Sequence, residues 1–202
     1  MARLADDVEG RTCIYLAGPE VFLLPPTRAM DVGVRKKEIC LRYGFDAAYP
    51  SDEEPDFTEL STDVGLEIFD ICVRMMSRCD LVIANMTPFR GVSMDVGTAI
   101  EMSYMYAMQK SVFAYSNVTD DYRGRIAGAG LMNDNESVED YGFTDNLMCE
   151  GLVRRSGNEV VRHKAPHAEL LTALEGFEEC VRQAQLLFGS PAEGTMHLPE
   201  GA

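Results

Sequence analysis

An acidic pair in the segment TPFRGVSMDVGTAIEMSYMYA, residues 87–107, is the part of this sequence best suited to chemistry. Asp95 and Glu101 stand six positions apart, and apolar residues surround Glu101. On a helix, six residues correspond to roughly 9 Å along the axis. An ionised Glu packed among apolar neighbours must be hydrogen-bonded or neutralised. The pattern alone also allows Asp95 to be a helix cap and Glu101 to be an exposed surface residue.

A tyrosine within a strand-like segment offers a partner for such a carboxylate. Tyr15 lies in CIYLAG, residues 13–18, and its hydroxyl needs a polar partner if the strand is buried. A carboxylate oriented by a tyrosine resembles the sites of retaining glycosidases when a second carboxylate lies far enough away to leave room for a small ligand. In those enzymes one carboxylate attacks the anomeric carbon and forms a covalent sugar ester.

Strand and helix patterns alternate along the chain. This alternation predicts an α/β fold: a doubly wound, Rossmann-like or flavodoxin-like, mostly parallel sheet flanked by helices. Residues 117–164 carry little pattern, and a connection of that length is usually functional or disordered. Apolar runs predict strands at residues 13–18, 45–50, 80–86 and 111–116. Helical spacing predicts helices at residues 27–43, 95–109 and 166–188, and another that ends at Cys79 and is capped by Ser61, Thr62 or Asp63.

Ligands of open α/β sheets bind beyond the carboxyl ends of the strands. The turn at Gly18-Pro19 follows the first predicted strand and allows a ligand to approach the backbone closely. Neither a G-x-G-x-x-G nor a G-x-x-x-x-G-K-[ST] motif is present, so dinucleotide and P-loop phosphate sites are excluded.

Size and charge narrow the function classes. The length of 202 residues suits one domain, which we expect at residues 12–188 between flexible ends at 1–11 and 189–202. The formal net charge of −15 disfavours nucleic acid and anionic membrane surfaces as partners. An uncharged or cationic small molecule fits this charge better.

The cysteines and the N-terminus indicate the compartment. Six cysteines are scattered without a C-x-x-C pair or a histidine at ligand spacing, so we expect core packing and no metal site. The first eleven residues lack the apolar run of a signal peptide, and no segment approaches the ~20 apolar residues of a membrane span. These features predict a soluble, reduced, cytoplasmic protein.

Three segments together resemble the nucleoside 2-deoxyribosyltransferase family, and especially its purine-accepting branch. The most specific is the middle one, in which D-x-G-x-x-x-E follows PFRG. The segments are IYLAGPEVF at 14–22, CDLVIANMTPFRGVSMDVGTAIEMSYMYA at 79–107 and DNLMCEG at 145–151.

The resemblance implies a role for each matching residue. Glu101 is implied as the nucleophile that attacks C1′ of a 2′-deoxynucleoside, and Tyr15 as the residue that positions it. Asp95 is implied to bind the base and to help protonate the departing ring nitrogen. Asn146 is implied to reach the sugar 5′-hydroxyl of a neighbouring subunit's site, with Met148 beside it.

The resemblance also implies the partners. Gly18 and Phe22 belong to the first matching segment, just after the first predicted strand, and the resemblance implies that they bind the substrate. The implied substrates are a 2′-deoxynucleoside and a free nucleobase, handled in nucleotide salvage without a metal or a redox cofactor. The implied assembly is a homo-oligomer, either a dimer or a trimer of dimers, whose sites are shared between subunits.

One position departs from the family pattern and leaves substrate identity open. Many members carry Asp or Asn where this chain has Cys72, so either Asp70 substitutes through a local shift or base selection differs. Related hydrolases of 2′-deoxynucleoside monophosphates tend to have Ser where this chain has Asp95, a carboxylate that repels phosphate. Hydrolysis of a nucleoside and a nucleoside-binding sensor without turnover remain the alternatives to transfer.

Overall fold

A parallel β-sheet with the strand order β2-β1-β3-β4-β5 forms the centre of the protein. The computed structural model describes residues 11–53 and 61–189. The order 2-1-3-4-5 is that of flavodoxin-like doubly wound sheets, so the predicted fold class is confirmed. The strands are β1 (Cys13–Ala17), β2 (Asp46–Ala48), β3 (Leu81–Asn85), β4 (Ser111–Ser116) and β5 (Val161–Arg162).

Helices cover both faces of the sheet. The core is divided accordingly into one cluster that includes α1 and α6 and another that includes α2, α3 and α5. The helices are α1 (Pro26–Arg42), α2 (Thr62–Arg78), α3 (Val96–Ala107), α4 (Tyr122–Gly128), α5 (Leu147–Arg155) and α6 (Glu175–Phe188).

The alternation of side chains along β1 distributes them between these two clusters. Ile14 and Leu16 pack with α1 and α6, whereas Tyr15 and Ala17 face α2 and α3. Strand β3 is buried at every position, as its continuous apolar run predicts for a strand covered on both faces. Tyr15 therefore lies under the helices that follow β2 and β3.

The C-terminal helix begins later than predicted. The spacing predicts a helix from Pro166, but α6 begins at Glu175, and a short 3-10 helix, His167–Glu169, precedes it. The side chain of Asn117 donates hydrogen bonds to the carbonyls of Leu170 and Ala173 at 2.8 and 3.0 Å. This segment is folded against the end of β4, because Asn117 engages carbonyls that a longer helix would use internally.

The segment 117–164, which carries little pattern, contains α4, α5 and β5. These elements span seven, nine and two residues, lengths too short for hydrophobic periodicity to stand out. Side-chain caps mark both helices: Asp121 accepts a hydrogen bond from the amide of Gly124, and Asn146 accepts one from the amide of Met148.

Other boundaries fall close to the predicted ones. Among the proposed caps of α2, Ser61 is the one used, accepting a hydrogen bond from the amide of Val64 at 3.2 Å. The predicted flexible ends, residues 1–11 and 189–202, lie outside the described residues except for Arg11 and Gly189. No helix in the described ranges is both long and apolar enough to cross a membrane.

Candidate active site

The start of α3 places one carboxylate at the carboxyl edge of the sheet. Asp95 is the N-cap of α3, and its Oδ2 accepts hydrogen bonds from the amide and the hydroxyl of Thr98 at 2.9 and 3.1 Å. The cap satisfies backbone donors that the first helical turn leaves free. Asp95 also lines a cavity, so it combines the capping role with a position open to a ligand.

The second carboxylate faces inward from the same helix. Glu101 lies one turn after Thr98 and beside Met102, both of which are buried. The hydroxyl of Tyr15 donates a 2.6 Å hydrogen bond to Oε1 of Glu101. The short distance is typical of a hydroxyl bound to a charged acceptor. The structure thus places Glu101 against the strand that carries Tyr15, rather than on the exposed face of α3.

Burial and nearby charge set the ionisation of Glu101. Burial raises the pKa of Glu101 to about 7, and the negative charges of Asp95 and Glu20 add to this rise. The hydrogen bond from Tyr15 acts in the opposite direction, because it stabilises the ionised form. Burial, followed by the charge of Glu101, raises the pKa of Tyr15 well above its usual range, so Tyr15 remains a proton donor at neutral pH.

A cavity of about 320 Å³ opens above these groups. Its volume suits a small organic ligand. Its lining combines the strand exits with the facing sides of α2 and α3. The lining residues are Gly18, Val21, Phe22, Pro50, Ser51, Ile68, Cys72, Asp95, Gly97, Thr98 and Glu101.

Five residues singled out from the sequence meet at this cavity. Gly18, Phe22, Asp95 and Glu101 line it, and Tyr15 is hydrogen-bonded to Glu101 at its wall. The turn after β1 supplies the first two, because β1 lies next to β3 in the sheet and both strands end at the same edge. One chain therefore brings together the two carboxylates and the tyrosine.

Asn146 and Met148 do not line this cavity. Asn146 caps α5 and donates a 2.8 Å hydrogen bond from Nδ2 to Oε1 of Glu139. The side chain of Met148 is exposed in the first turn of α5. The structure of one chain therefore places both residues away from the chain's own carboxylate pair.

The position on α2 that departs from the family pattern, Cys72, lies at the cavity. Its side chain lines the cavity, whereas Asp70 lies on the exposed part of α2 and does not contribute to the lining. Burial raises the pKa of Cys72, so its thiol is neutral at physiological pH. The far wall of the cavity therefore carries a neutral thiol instead of an acid or an amide.

Sequence reasoning did not identify the wall formed by Pro50, Ser51 and Ile68. Pro50 and Ser51 begin the short 3-10 helix after β2, and Ile68 lies one turn before Cys72 on α2. Pro50 could have been expected at the cavity, because it ends a predicted strand and the carboxyl ends of parallel strands share one edge of the sheet. Their meeting with α3 depends on β2 lying beside β1, which is a property of the sheet order.

Among the described residues, no group of three or more His, Cys, Asp or Glu side chains is arranged to hold a metal ion. The chemically distinctive groups of the cavity are the two carboxylates, the tyrosine and the thiol. A carboxylate held by a tyrosine beside an open cavity is suited to nucleophilic attack on a sugar carbon.

Comparison with known proteins gives the family. The model of the family described as nucleoside 2-deoxyribosyltransferase matches residues 14–148. An uncharacterized protein of Schizosaccharomyces pombe is 30% identical over 171 residues, which span 73% of this chain and 80% of that protein.

Solved structures show a similar fold. A 2-desoxiribosyltransferase from Leishmania mexicana has a TM-score of 0.57 and 26% identity, over 85% of this chain and 97% of that chain. A conserved protein from Enterococcus faecalis shares the fold with a TM-score of 0.53 and 20% identity, over 87% and 99% of the two chains. Because the family match extends over well more than half of the sequence, this chain belongs to the nucleoside 2-deoxyribosyltransferase family.

Proposed function

We propose that this protein transfers 2-deoxyribose from a 2′-deoxynucleoside to a second nucleobase, with Glu101 as the nucleophile. The observation that supports this most directly is the hydrogen bond from Tyr15 to Oε1 of Glu101 at the cavity wall. Tyr15 engages one carboxylate oxygen and orients the group, so the other oxygen can approach a sugar carbon. Membership of the family supports the class of reaction.

The proposed reaction proceeds in two displacements. An oxygen of Glu101 attacks C1′, the bond from C1′ to the base nitrogen breaks, and the electron pair of that bond stays on the base. Asp95, in the same cavity, binds the base and, after taking up a proton from solvent, passes it to the departing nitrogen. A nitrogen of the second base then attacks C1′, the ester bond breaks to regenerate the carboxylate, and the proton of the acceptor returns to Asp95.

The missing 2′-hydroxyl of the donor favours this route, since it makes an oxocarbenium-like transition state easier to reach. The charge of Glu101 stabilises that state before the covalent bond forms. The pKa of about 7 leaves Glu101 substantially ionised at neutral pH, as a nucleophile requires.

The cavity supports an uncharged substrate. Its described lining contains the carboxylates of Asp95 and Glu101 but no Lys, Arg or His, so a phosphate would meet repulsion. Apolar side chains of Val21, Phe22 and Ile68 provide a surface for a planar base. We therefore propose nucleosides, rather than nucleotides, as donors, with purines among the bases accepted.

The proposal includes a homo-oligomer. Large apolar side chains are exposed on α2, α3 and α5, including Phe69, Val96, Ile100 and Met148. Helix α3 contacts both α2 and α5, so these residues lie on neighbouring helices of one face. Exposed apolar side chains grouped on neighbouring helices favour a protein interface. In the proposed assembly Asn146 of one subunit completes the neighbouring site, with Met148 beside it.

A donor–acceptor assay tests the reaction. The protein is incubated with deoxyadenosine, deoxyinosine or thymidine, with and without a second free base, and the products are separated by chromatography. We expect a new deoxynucleoside only when the second base is present. Free sugar formed at a rate that the acceptor neither lowers nor diverts would identify a hydrolase, and nucleoside binding without products would identify a sensor.

A variant connects the activity to the proposed nucleophile. Glu101→Ala should abolish turnover while its circular dichroism spectrum matches that of the wild type. Mass spectrometry of the wild type, quenched during turnover with donor alone, should find a deoxyribosyl group on the peptide that contains Glu101. Normal activity of Glu101→Ala would contradict the proposed mechanism.

A further inference from the structure

A buried carboxylate that the proposed reaction does not use lies at the same edge of the sheet. Glu20 follows β1 in the short 3-10 helix Pro19–Phe22, and its side chain is fully buried. Its Oε1 accepts hydrogen bonds from Lys36 Nζ at 2.6 Å, Asn85 Nδ2 at 2.8 Å and Tyr115 Oη at 2.9 Å. Lys36 is fully buried as well, so Glu20 and Lys36 form an ion pair without access to water.

Stability alone is a poor explanation for this ion pair. Removing two charges from water is costly, and apolar residues of similar volume often serve a fold as well or better. Moreover, the donors converge on Oε1, whereas Oε2 has no hydrogen-bond partner in the part of the chain that the structure describes. An unpartnered buried oxygen destabilises the folded state, so packing alone does not account for Glu20.

The position of Oε2 indicates that role. A Cβ atom added to Gly18 would lie 1.9 Å from Oε2 of Glu20, so the carboxylate occupies the space beside the Gly18 backbone. Gly18 lines the catalytic cavity, as do Val21 and Phe22 of the 3-10 helix that follows it. Glu20 is thus placed directly behind the part of the cavity wall that follows β1.

The partners of Glu20 make this position rigid. Lys36 belongs to α1, Asn85 is the last residue of β3 and Tyr115 lies in β4. One carboxylate oxygen therefore joins the segment after β1 to two neighbouring strands and to a helix. The rings of Tyr115 and Phe177 lie 5.5 and 5.1 Å from Lys36 Nζ, which restricts the cation further.

We propose that Glu20 is a positioning residue: anchored by Lys36, Asn85 and Tyr115, it holds residues 18–22 as a fixed wall of the catalytic cavity. The inference rests on the proposed function, because the wall matters only if a substrate binds there. Glu20 does not touch the reacting atoms, and its effect passes through the backbone of Gly18 and the side chains of Val21 and Phe22.

The charge of Glu20 adds an electrostatic effect on the nucleophile. Burial is the main cause of the raised pKa of Glu101, and the charges of Asp95 and Glu20 raise it further. Glu101 also faces Tyr15 from β1 and Cys72 from α2. Loss of the Glu20 charge should therefore lower the pKa of Glu101 and move the acidic limb of the activity profile to lower pH.

The test compares two variants with a matched control. Glu20→Gln removes the charge but keeps an oxygen acceptor. The double variant Glu20→Ala/Lys36→Met removes both buried charges, so that no buried charge is left unpaired. Glu178→Gln is the control, because Glu178 accepts hydrogen bonds from Arg42 and Tyr43 at a more exposed position on α6.

For each protein, kcat and KM are measured across pH, and the carboxyl carbon of Glu101 is titrated by ¹³C NMR after glutamate labelling. We expect KM of the double variant to rise by about tenfold or more with a smaller change in kcat, because misplaced walls weaken productive binding. In Glu20→Gln the titration midpoint of Glu101 should fall relative to the wild type, and in Glu178→Gln it should not move.

The inference is overturned if the two Glu20 variants fold and their KM and titration midpoints match those of the wild type. Should the double variant fail to fold, KM of Glu20→Gln decides the outcome, because loss of the charge weakens the anchor at Lys36: a rise supports the role and an unchanged value rejects it. A wild type without transferase activity would instead contradict the proposed function, and the NMR titration would still test the link between Glu20 and Glu101.

Discussion

The hydroxyl of Tyr15 lies 2.6 Å from Oε1 of Glu101, although 86 positions separate the two residues in the sequence. Tyr15 belongs to β1, whereas Glu101 is on the helix that follows β3, the neighbour of β1 in the sheet. The crossover after β3 returns α3 over the face of β1 that carries Tyr15. This hydrogen bond orients the carboxylate and lowers its pKa, against the larger effect of burial, which raises it.

Replacing the tyrosine should shift the pH dependence of activity. Tyr15→Phe removes a hydrogen bond that lowers the pKa of Glu101, so that pKa should rise above about 7. The acidic limb of kcat/KM should move to higher pH, and activity at pH 6 should fall more than activity at pH 8. Steady-state kinetics from pH 5 to 9 check this, with Tyr106→Phe, on an exposed part of α3, as the control. An unchanged limb would show that the two groups are not coupled.

Neutralising the nucleophile should stabilise the fold in a pH-dependent manner. The pKa of Glu101 is raised in the folded state from 4.5 to about 7, so this group contributes stability below pH 4.5 that is lost as pH rises through 7. Glu101→Gln should therefore raise the melting temperature by several degrees at pH 8, and by much less at pH 5. Thermal unfolding at the two pH values measures this difference, with exposed Glu67→Gln on α2 as the control. An equal gain at both pH values would contradict the linkage.

An acid at position 72 should change both the base preference and the pKa of the nucleophile. Cys72→Asp adds a carboxylate to the cavity wall opposite α3, where the side chain can accept hydrogen bonds from a base. Its charge should raise the pKa of Glu101 further. The donor–acceptor assay with deoxyadenosine, deoxyinosine and thymidine measures the ranking of bases. Cys72→Ser, of similar size and neutral, should preserve the wild-type ranking, and an unchanged ranking in Cys72→Asp would show that this wall does not select the base.

A methyl group at Gly18 should damage the site through Glu20. The Cβ of Gly18→Ala would lie 1.9 Å from Oε2 of Glu20 and 3.0 Å from Cβ of Asn85, both of which are buried. We expect a loss of about 1–3 kcal/mol in the free energy of unfolding, together with a higher KM. Gly65→Ala on α2 is the control and should be neutral or slightly stabilising, because among the described residues outside its own helical backbone no atom lies within 4 Å of the added methyl group. Denaturant unfolding and kinetics of both variants check the expectation.

Mixing two inactive variants should restore activity if subunits share their sites. Glu101→Gln lacks the nucleophile, and Asn146→Ala lacks the residue proposed to act in the neighbouring subunit. In a reciprocal dimer assembled at random from equal amounts, about one quarter of the sites carry both wild-type residues. We expect about that fraction of wild-type activity after co-refolding. Activity no higher than that of the separate variants would place Asn146 outside the neighbouring site.

Local patterns were sufficient for the long elements and for the identity of the chemical groups. The continuous apolar run of β3 predicted a strand buried on both faces, because its side chains contact helices on each side. Helix α3 was predicted to within two residues, since Asp95 supplies a cap and the spacing of the following apolar residues is helical. Helix α6 was predicted too long, because the hydrogen bonds of Asn117 to Leu170 and Ala173 come from a distant part of the chain.

The sequence by itself determined the α/β alternation, the acidic pair on one helix and the strand that contains the tyrosine. Only the tertiary structure decided that Glu101 points inward to Tyr15, since helical periodicity allowed an exposed face equally well. It also placed Pro50, Ser51 and Cys72 opposite α3 and set Glu20 behind Gly18. The reason is physical: hydrogen bonds, burial and pKa shifts depend on distances between residues far apart in the chain, and the order of strands in the sheet sets those distances.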